Sequence, residues 1–391
     1  MTPSPGQLRI LGIGNARSVI FQRWAWRLAE LDHHVVLVSD RRPRDERELR
    51  GIELHDIRRL GLLTRIRGVR RTRFGPALGH LADRLEIDLV HGHYLLPYGF
   101  WASLADRHPL VVSPWGTDIL VDGMRPGRDR RRVRAAIAAA DQLVVNSRVS
   151  AETATGLGAS PSRIAQIVWY ADLDRFAIAR HDPALRRRLG WPDDALVVLS
   201  LRNLRPDTNI DVIIRAFAEV VEVEPRARLV IASTGGPLRS RLEGLVGSLA
   251  LQSTVTFMSA GEQELPQLVA SSDVLVAMTR SDSTPASLLE AMAAGLPAVC
   301  ARAASHDEWI EHGDGGLFVP QRDVDRLASS VLTLLGDPEL RRSFGERNRR
   351  FVMERVPPAG PELERVYRRL LGGSERPGPT SDRPEPAVRS S

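Results

Sequence analysis

With 391 residues the chain is long enough for two or three domains. At 43% hydrophobic and 26% charged it has the composition of an ordinary globular protein. No apolar run approaches the roughly eighteen residues that span a bilayer, and the N-terminal residues have no hydrophobic segment of signal type, so the cytoplasm is the expected location. The single cysteine, Cys300, lies in an apolar run and excludes an intrachain disulfide and a cysteine-based metal site.

The net charge is +6, and all 54 basic residues are arginine. Two stretches concentrate them: Arg41 to Arg73, ending in Arg65, Arg67, Arg70, Arg71 and Arg73, and Arg125 to Arg134. Two readings stand for them: a solvated face, or contact with an anionic acceptor or an anionic membrane at its inner face. Nucleic acid is not an expected partner, because the aromatics are few and do not interleave with the arginines.

In chain order, apolar runs at 8–13, 35–39, 89–91, 110–113, 143–146 and 164–168 read as buried strands, with helical patterns at 21–31 and 131–140 between some of them. The pattern then restarts. Runs at 196–201, 228–232, 255–257, 274–277 and 298–300 alternate with helical stretches at 211–221, 238–249, 264–270 and 285–294. Each series predicts an α/β, doubly wound parallel sheet, and two series predict two Rossmann-like domains facing across a cleft. Breakers between Tyr170 and Trp191 mark the junction. The expected divisions are 1–170, 171–355, a helix in 356–372 carrying Leu363, Val366, Tyr367, Leu370 and Leu371 at helical spacing, and a disordered tail at 373–391 rich in Pro, Ser, Gly and charge.

Several short motifs have chemical content. Gly12-Ile13-Gly14-Asn15 closes the first strand, and glycine there lets backbone approach a phosphate. With Asp40 after the second strand it also suggests a nicotinamide-dependent oxidoreductase, although Arg17 stands where the third glycine of that fingerprint belongs. His91 and His93 end a strand two residues apart; they could share a metal, with no third ligand evident nearby, or serve the fold. The segment from Arg280 to Pro297 places Asp282 and Glu290 eight residues apart around a helix start. Thr284 is the expected cap, Pro285 the expected first helical residue, and Gly295 the stop. The amides between the two carboxylates would then bind an anion.

This last segment, Asp282-x7-Glu290 continuing Ala-Met-Ala-Ala-Gly-Leu-Pro, resembles the Glu-x7-Glu signature of retaining glycosyltransferases of family 4, with Asp282 in the place of the first Glu. Further stretches fit the resemblance. Trp169 to Phe176 resembles the domain-junction motif with Tyr170 in place of a glycine, and Gly235-Gly236-Pro237 resembles the Gly-x-Gly-Pro turn. Glu308 in 306–310 and the run Gly316-Leu317-Phe318-Val319 match later family segments, and Ser113 to Asp118 matches a Ser-x-His-Gly-x-Asp loop with Trp115 in the histidine's place.

The resemblance implies a GT-B fold whose C-terminal helix crosses back to the first domain. It implies transfer of a sugar from a nucleotide-diphosphate donor, UDP- or GDP-linked, to a carbohydrate, lipid-linked or small-molecule acceptor. It implies retention of configuration, no metal and no cofactor. By the same resemblance Asp282 and His93 serve the donor sugar and Glu290 its ribose. Gly14, Asn15, Gly236 and the residues Ser283, Thr284, Pro285, Ala286, Ser287 and Leu288 lie along the donor, and Trp115 and Asp118 face the acceptor. One departure matters. The family's Arg and Lys for the diphosphate are here Asn203 and Thr208, leaving Arg205 as the nearby replacement. That loss motivates a second reading, a non-catalytic scaffold in a glycan-assembly complex.

Overall fold

The computed structural model describes residues 6–60, 74–261, 263–280 and 283–372. Asp282, the arginines at 65, 67, 70, 71 and 73, and the tail at 373–391 lie outside the described residues. The first sheet holds β1 (Arg9–Ile13), β2 (His34–Ser39), β3 (Glu53–Asp56), β4 (Leu89–His93), β5 (Leu110–Ser113), β6 (Gln142–Val145) and β7 (Ile164–Gln166). The second holds β8 (Leu196–Ser200), β9 (Ala227–Ala232), β10 (Val255–Met258), β11 (Val274–Ala277), β12 (Ala298–Ala301), β13 (Glu311–His312) and β14 (Gly315–Val319). Their orders are β3-β2-β1-β4-β5-β6-β7 and β10-β9-β8-β11-β12-β14-β13, with the paired strands parallel. The expected pair of doubly wound sheets is thus present. β3 escaped the sequence reading because it is a polar edge strand with no residue fully buried.

Parallel sheets bury both faces under helices, which explains the continuous apolar runs of β1, β2 and β12. In both sheets the order reverses at the central strand, β1 or β8, and ligands of such sheets bind at the carboxyl ends of the strands.

The first helix, Val19–Glu30, buries Phe21, Trp24, Ala25 and Leu28 on one face. That face needs room at the strand below. A Cβ on Gly12 would lie 2.4 Å from the Trp24 ring, and one on Gly14 would lie 2.8 Å from Phe21. Ring packing therefore accounts for both glycines without a ligand. The C-terminal helix, Ala359–Leu370, crosses back to the first helix as expected. Trp24 Nε1 donates to the Tyr367 hydroxyl at 3.0 Å, and Gly360 packs against Leu31. One apolar cluster runs from Ile10 and Trp24 through Trp169, Tyr170 and Phe176 to Leu199 and Leu288. It joins the packing of the two sheets through the crossing segment.

Candidate functional site

The helix after β11 spans Ala286–Ala293. It starts one residue later than expected: Pro285 is the residue before it, with φ −79° and ψ 91°, and Thr284 does not cap. The reason is tertiary. The Thr284 hydroxyl donates instead to the Asn146 carbonyl, and the Tyr170 hydroxyl donates to the Thr284 carbonyl at 2.6 Å. Ser283 is fully buried, and its hydroxyl is hydrogen-bonded to the side chains of Asn146, Ser147 (3.0 Å) and Ser150 (2.5 Å). Across from it, a Cβ on Gly116 would come within 3.1 Å of Ser283, so glycine permits the contact. Ser283 and Thr284 thus fasten this segment to the end of β6 rather than offering their hydroxyls to a donor. Leu288 is fully buried in the core, which removes it from the donor-binding set. Gly295, with φ +83°, ends the helix as expected.

Ala286, Ser287 and Glu290 remain exposed to a cavity of about 240 Å³, with Leu201, Arg202, Asn203, Ser233 and Thr234. Glu290 is only 4% exposed and accepts a hydrogen bond from Arg23 Nη1 at 2.7 Å. Arg23 also donates to the Tyr170 carbonyl at 2.9 Å. One turn on, Arg27 donates to the Trp169 and Ala171 carbonyls, and burial lowers its pKa. Arg23 and Arg27 tie the first helix to this segment, and the sequence reading missed both. Their signal was available: two arginines at i, i+4 on a helix face otherwise carrying Phe21, Trp24 and Leu28.

A larger cavity of about 630 Å³ lies between the sheets. Trp115, Gly116, Thr117 and Arg125 line it from one side, and Leu201, Arg202, Asn203, Arg205, Asp207, Thr208, Arg280 and Ser283 from the other. The two cavities share Leu201, Arg202 and Asn203 as a common rim. Asn203 Oδ1 accepts from the Thr234 hydroxyl at 2.7 Å. The Thr208 hydroxyl sits 2.9 and 2.8 Å from the carbonyls of Asn203 and Arg205, so it braces its own loop. Arg205 is forked onto Asp207, Nε to Oδ1 at 3.0 Å and Nη2 to Oδ2 at 3.2 Å, which weakens its standing as replacement cation. Gly236 does not line either cavity. A Cβ there would lie 2.3 Å from the Leu204 carbonyl oxygen, so the glycine serves a close backbone contact.

On the first-sheet side three further expectations change. His93 is fully buried, with ring centroids of Phe21, Trp24, His91, Trp115 and Trp169 4.0–6.2 Å from its own, and neither ring nitrogen has a hydrogen-bond partner among the described residues. Burial holds its pKa well below the ordinary value, so the ring is neutral. It lies in the core instead of at the cleft edge. His91 bonds Tyr367 Oη through Nδ1 at 2.6 Å and Ser113 Oγ through Nε2 at 2.8 Å, and burial pushes its pKa down to about 3. Among the described residues no group of three potential ligands could hold a metal.

Asp118 is fully buried. Its carboxylate accepts the amides of Leu95 (2.6 Å), Trp115 (3.0 Å) and Gly116 (2.8 Å). It shapes the loop that presents Trp115 and does not face an acceptor. Burial pushes its pKa up to about 6 against the pull of those amides. Asn15 Oδ1 accepts from the Arg17 amide at 3.1 Å, an internal turn contact. Asp40 accepts from the Tyr98 hydroxyl at 2.7 Å, which takes from it the ribose role of the oxidoreductase reading.

Two family models cover most of the chain: glycosyl transferases group 1 over residues 182–351 and glycosyl transferase 4-like over residues 9–147. The N-acetyl-alpha-D-glucosaminyl L-malate synthase of Bacillus anthracis is 30% identical over 283 residues, 71% of this chain and 73% of that protein.

The chain belongs to the family 4-type glycosyltransferases.

A D-inositol 3-phosphate glycosyltransferase of Saccharomonospora viridis is similarly related to this glycosyltransferase, 31% identical over 73% of this chain and 70% of that one. Among solved structures, Anabaena HepE in complex with UDP and glucose superposes with a TM-score of 0.74 at 18% identity, covering 94% of this chain and all of that one. The sucrose-phosphate synthase of Thermosynechococcus elongatus gives 0.76 at 18% over the same shares. These likenesses establish the GT-B fold for the glycosyltransferase. Among its described residues no helix is long and apolar enough to cross a membrane.

Proposed function

We propose that this glycosyltransferase moves a sugar from a UDP-linked donor, with GDP the alternative base, to an acceptor hydroxyl with retention of configuration. The observation that carries the reading is the pair of adjoining cavities. One is small and ends on a buried carboxylate at Glu290; the other is wide, rich in arginine and walled by both sheets. A nucleoside fits the first, with Glu290 accepting from the ribose hydroxyls and the Asn203 and Thr234 side chains beside it. The diphosphate crosses the shared rim at Leu201–Asn203, and the sugar enters the second. The amides of Ala286 and Ser287 open a helix, so they lack intrahelical partners and present partial positive charge to an anion. Asp282 is the proposed contact to the sugar hydroxyls. Residues 1–170 form the acceptor side and 171–355 the donor side. HepE, solved with UDP and glucose on the same fold, favours UDP.

Transfer then depends on positioning and on stabilising the departing diphosphate. The acceptor hydroxyl approaches past Trp115 and Thr117. The named relatives act on small acidic or phosphorylated acceptors by the words of their names, L-malate and D-inositol 3-phosphate. A small anionic acceptor is accordingly the proposed class, with Arg125 at its end of the cavity.

The test is a donor panel. Nucleotide release is measured with UDP- and GDP-sugars against malate, inositol phosphates and simple glycosides, and the product linkage is read by NMR. Release with a UDP-sugar and an unchanged anomeric configuration are the expected results. An inverted product would contradict retention. Absence of nucleotide binding by calorimetry would favour the scaffold reading instead.

A further inference from the structure

We infer that Arg280, a residue outside the family's usual pair of diphosphate-binding positions, supplies the principal positive charge that holds the donor phosphates. The inference rests on the proposed use of a nucleotide-diphosphate donor and names the residue that makes it workable in this chain.

Among the described residues, four arginines and one acid line the wide cavity, so it favours an anion. The four differ in what they already hold. Arg205 is forked onto Asp207, the one acid there. Arg202 sits on the rim between the two cavities and has a partner of its own. Arg125 belongs to the opposite wall, beyond Val121 and away from the nucleoside cavity. Arg280 makes no ion pair and its guanidinium no hydrogen bond among the described residues, yet its backbone is fastened: its amide donates to the Asp207 carbonyl at 3.0 Å. A cation on a fixed stem, uncommitted and exposed to a cavity, is suited to a mobile anionic ligand.

Its place agrees with the donor path. β11 pairs with β8 in the register Val274↔Val198 and Leu275↔Leu199. Past the strand ends the chain leaves that register: the Asn209 side-chain amide donates to the Met278 carbonyl at 2.8 Å and the Arg280 amide to the Asp207 carbonyl, so Arg280 stands beside the 205–208 loop. From there it lines the wide cavity together with Leu201, Arg202 and Asn203, the rim shared with the nucleoside cavity. The positions the resemblance assigns to this task cannot perform it. Asn203 is neutral and bonded to Thr234, and Thr208 is neutral and bonded to its own loop. A guanidinium at Arg280 restores the charge from a different strand and offers a bidentate fork to phosphate oxygens.

The experiment is titration calorimetry of the full chain with UDP, GDP, uridine and guanosine, in the absence of acceptor. It compares the wild type with Arg280→Gln, Arg280→Lys and Arg205→Gln. Arg280→Gln is expected to weaken binding of the favoured nucleoside diphosphate by roughly 10- to 100-fold. The matching nucleoside should bind unchanged, which also shows that the variant is folded. Arg280→Lys should recover part of the loss, and Arg205→Gln should cost less than about fivefold. Equal diphosphate affinity in wild type and Arg280→Gln would overturn the inference while leaving the proposed function standing. A wild type that binds neither UDP nor GDP would overturn both.

Discussion

On the first-sheet wall of the cleft, Asp118 spends its carboxylate on three amides and His91 is held by Tyr367 and Ser113. On the second-sheet wall, Asn203, Arg280, Ser283 and Glu290 border the cavities; Ser283 is drawn across to the other half by Ser147 and Ser150, and Glu290 by Arg23. Both walls grow from the same kind of parallel sheet. The first uses polar groups to set loop shape and leaves Trp115, Thr117 and Arg125 as its face. The second also spends Ser283, Thr284, Thr208 and Arg205 on internal contacts, but it leaves the Arg280 guanidinium facing the wide cavity without a hydrogen bond among the described residues. The lesson is that a polar residue at a strand end marks a site only when its hydrogen bonds are not already taken by backbone.

The largest test of this contrast is Glu290→Gln. It leaves the Arg23 guanidinium without its buried counter-charge, which should cost about 3–5 kcal/mol of stability, and it should abolish measurable donor turnover. Urea unfolding and nucleotide release read the two effects separately. Retained turnover in a folded variant would place the ribose elsewhere.

Next comes Asp118→Asn, expected to cost about 1–3 kcal/mol because an amide nitrogen would face donors that now meet carboxylate oxygen. The wild type also carries a pH signature. In the folded protein burial raises the Asp118 pKa to about 6, from 3.8 for an ordinary Asp carboxyl. Its contribution to stability is therefore complete below pH 3.8 and lost as the pH rises through about 6. Unfolding curves between those values should show that slope in the wild type and lack it in Asp118→Asn.

His93→Leu carries a smaller effect of opposite sign. Removing a buried imidazole with no hydrogen-bond partner should raise stability by about 1 kcal/mol, with donor turnover unchanged. A loss of turnover at full stability would return His93 to the sugar. The smallest expected change is in the stability of Arg205→Gln, below about 1 kcal/mol, because its pairing with Asp207 is solvent-exposed. A larger drop in melting temperature would mean that the 203–208 loop depends on that pair.

Much of the fold was legible. Apolar runs such as 35–39 and 298–300 lie in parallel strands buried on both faces, and the spacing of Leu363, Val366 and Tyr367 marked the helix that crosses back. β3 was not legible, because an edge strand with polar residues leaves no periodic signal. At the site, Glu290 and Trp115 were readable from their motifs and do line the cavities. Thr284 and Pro285 were given local capping roles that contacts with a distant segment override, and the ring packing around Gly14 was not visible in its motif.

Sequence alone determined the two α/β units and the strands whose ends meet at the cleft, because burial on both sheet faces demands a pattern that local composition displays. Tertiary structure alone decided which polar groups there remain for a ligand. Hydrogen bonds between residues more than a hundred positions apart, Ser283 with Ser150, Thr284 with Asn146 and Arg23 with Glu290, consume some candidates and orient others. No periodicity records such pairings, since each partner is chosen by where the folded backbone brings it.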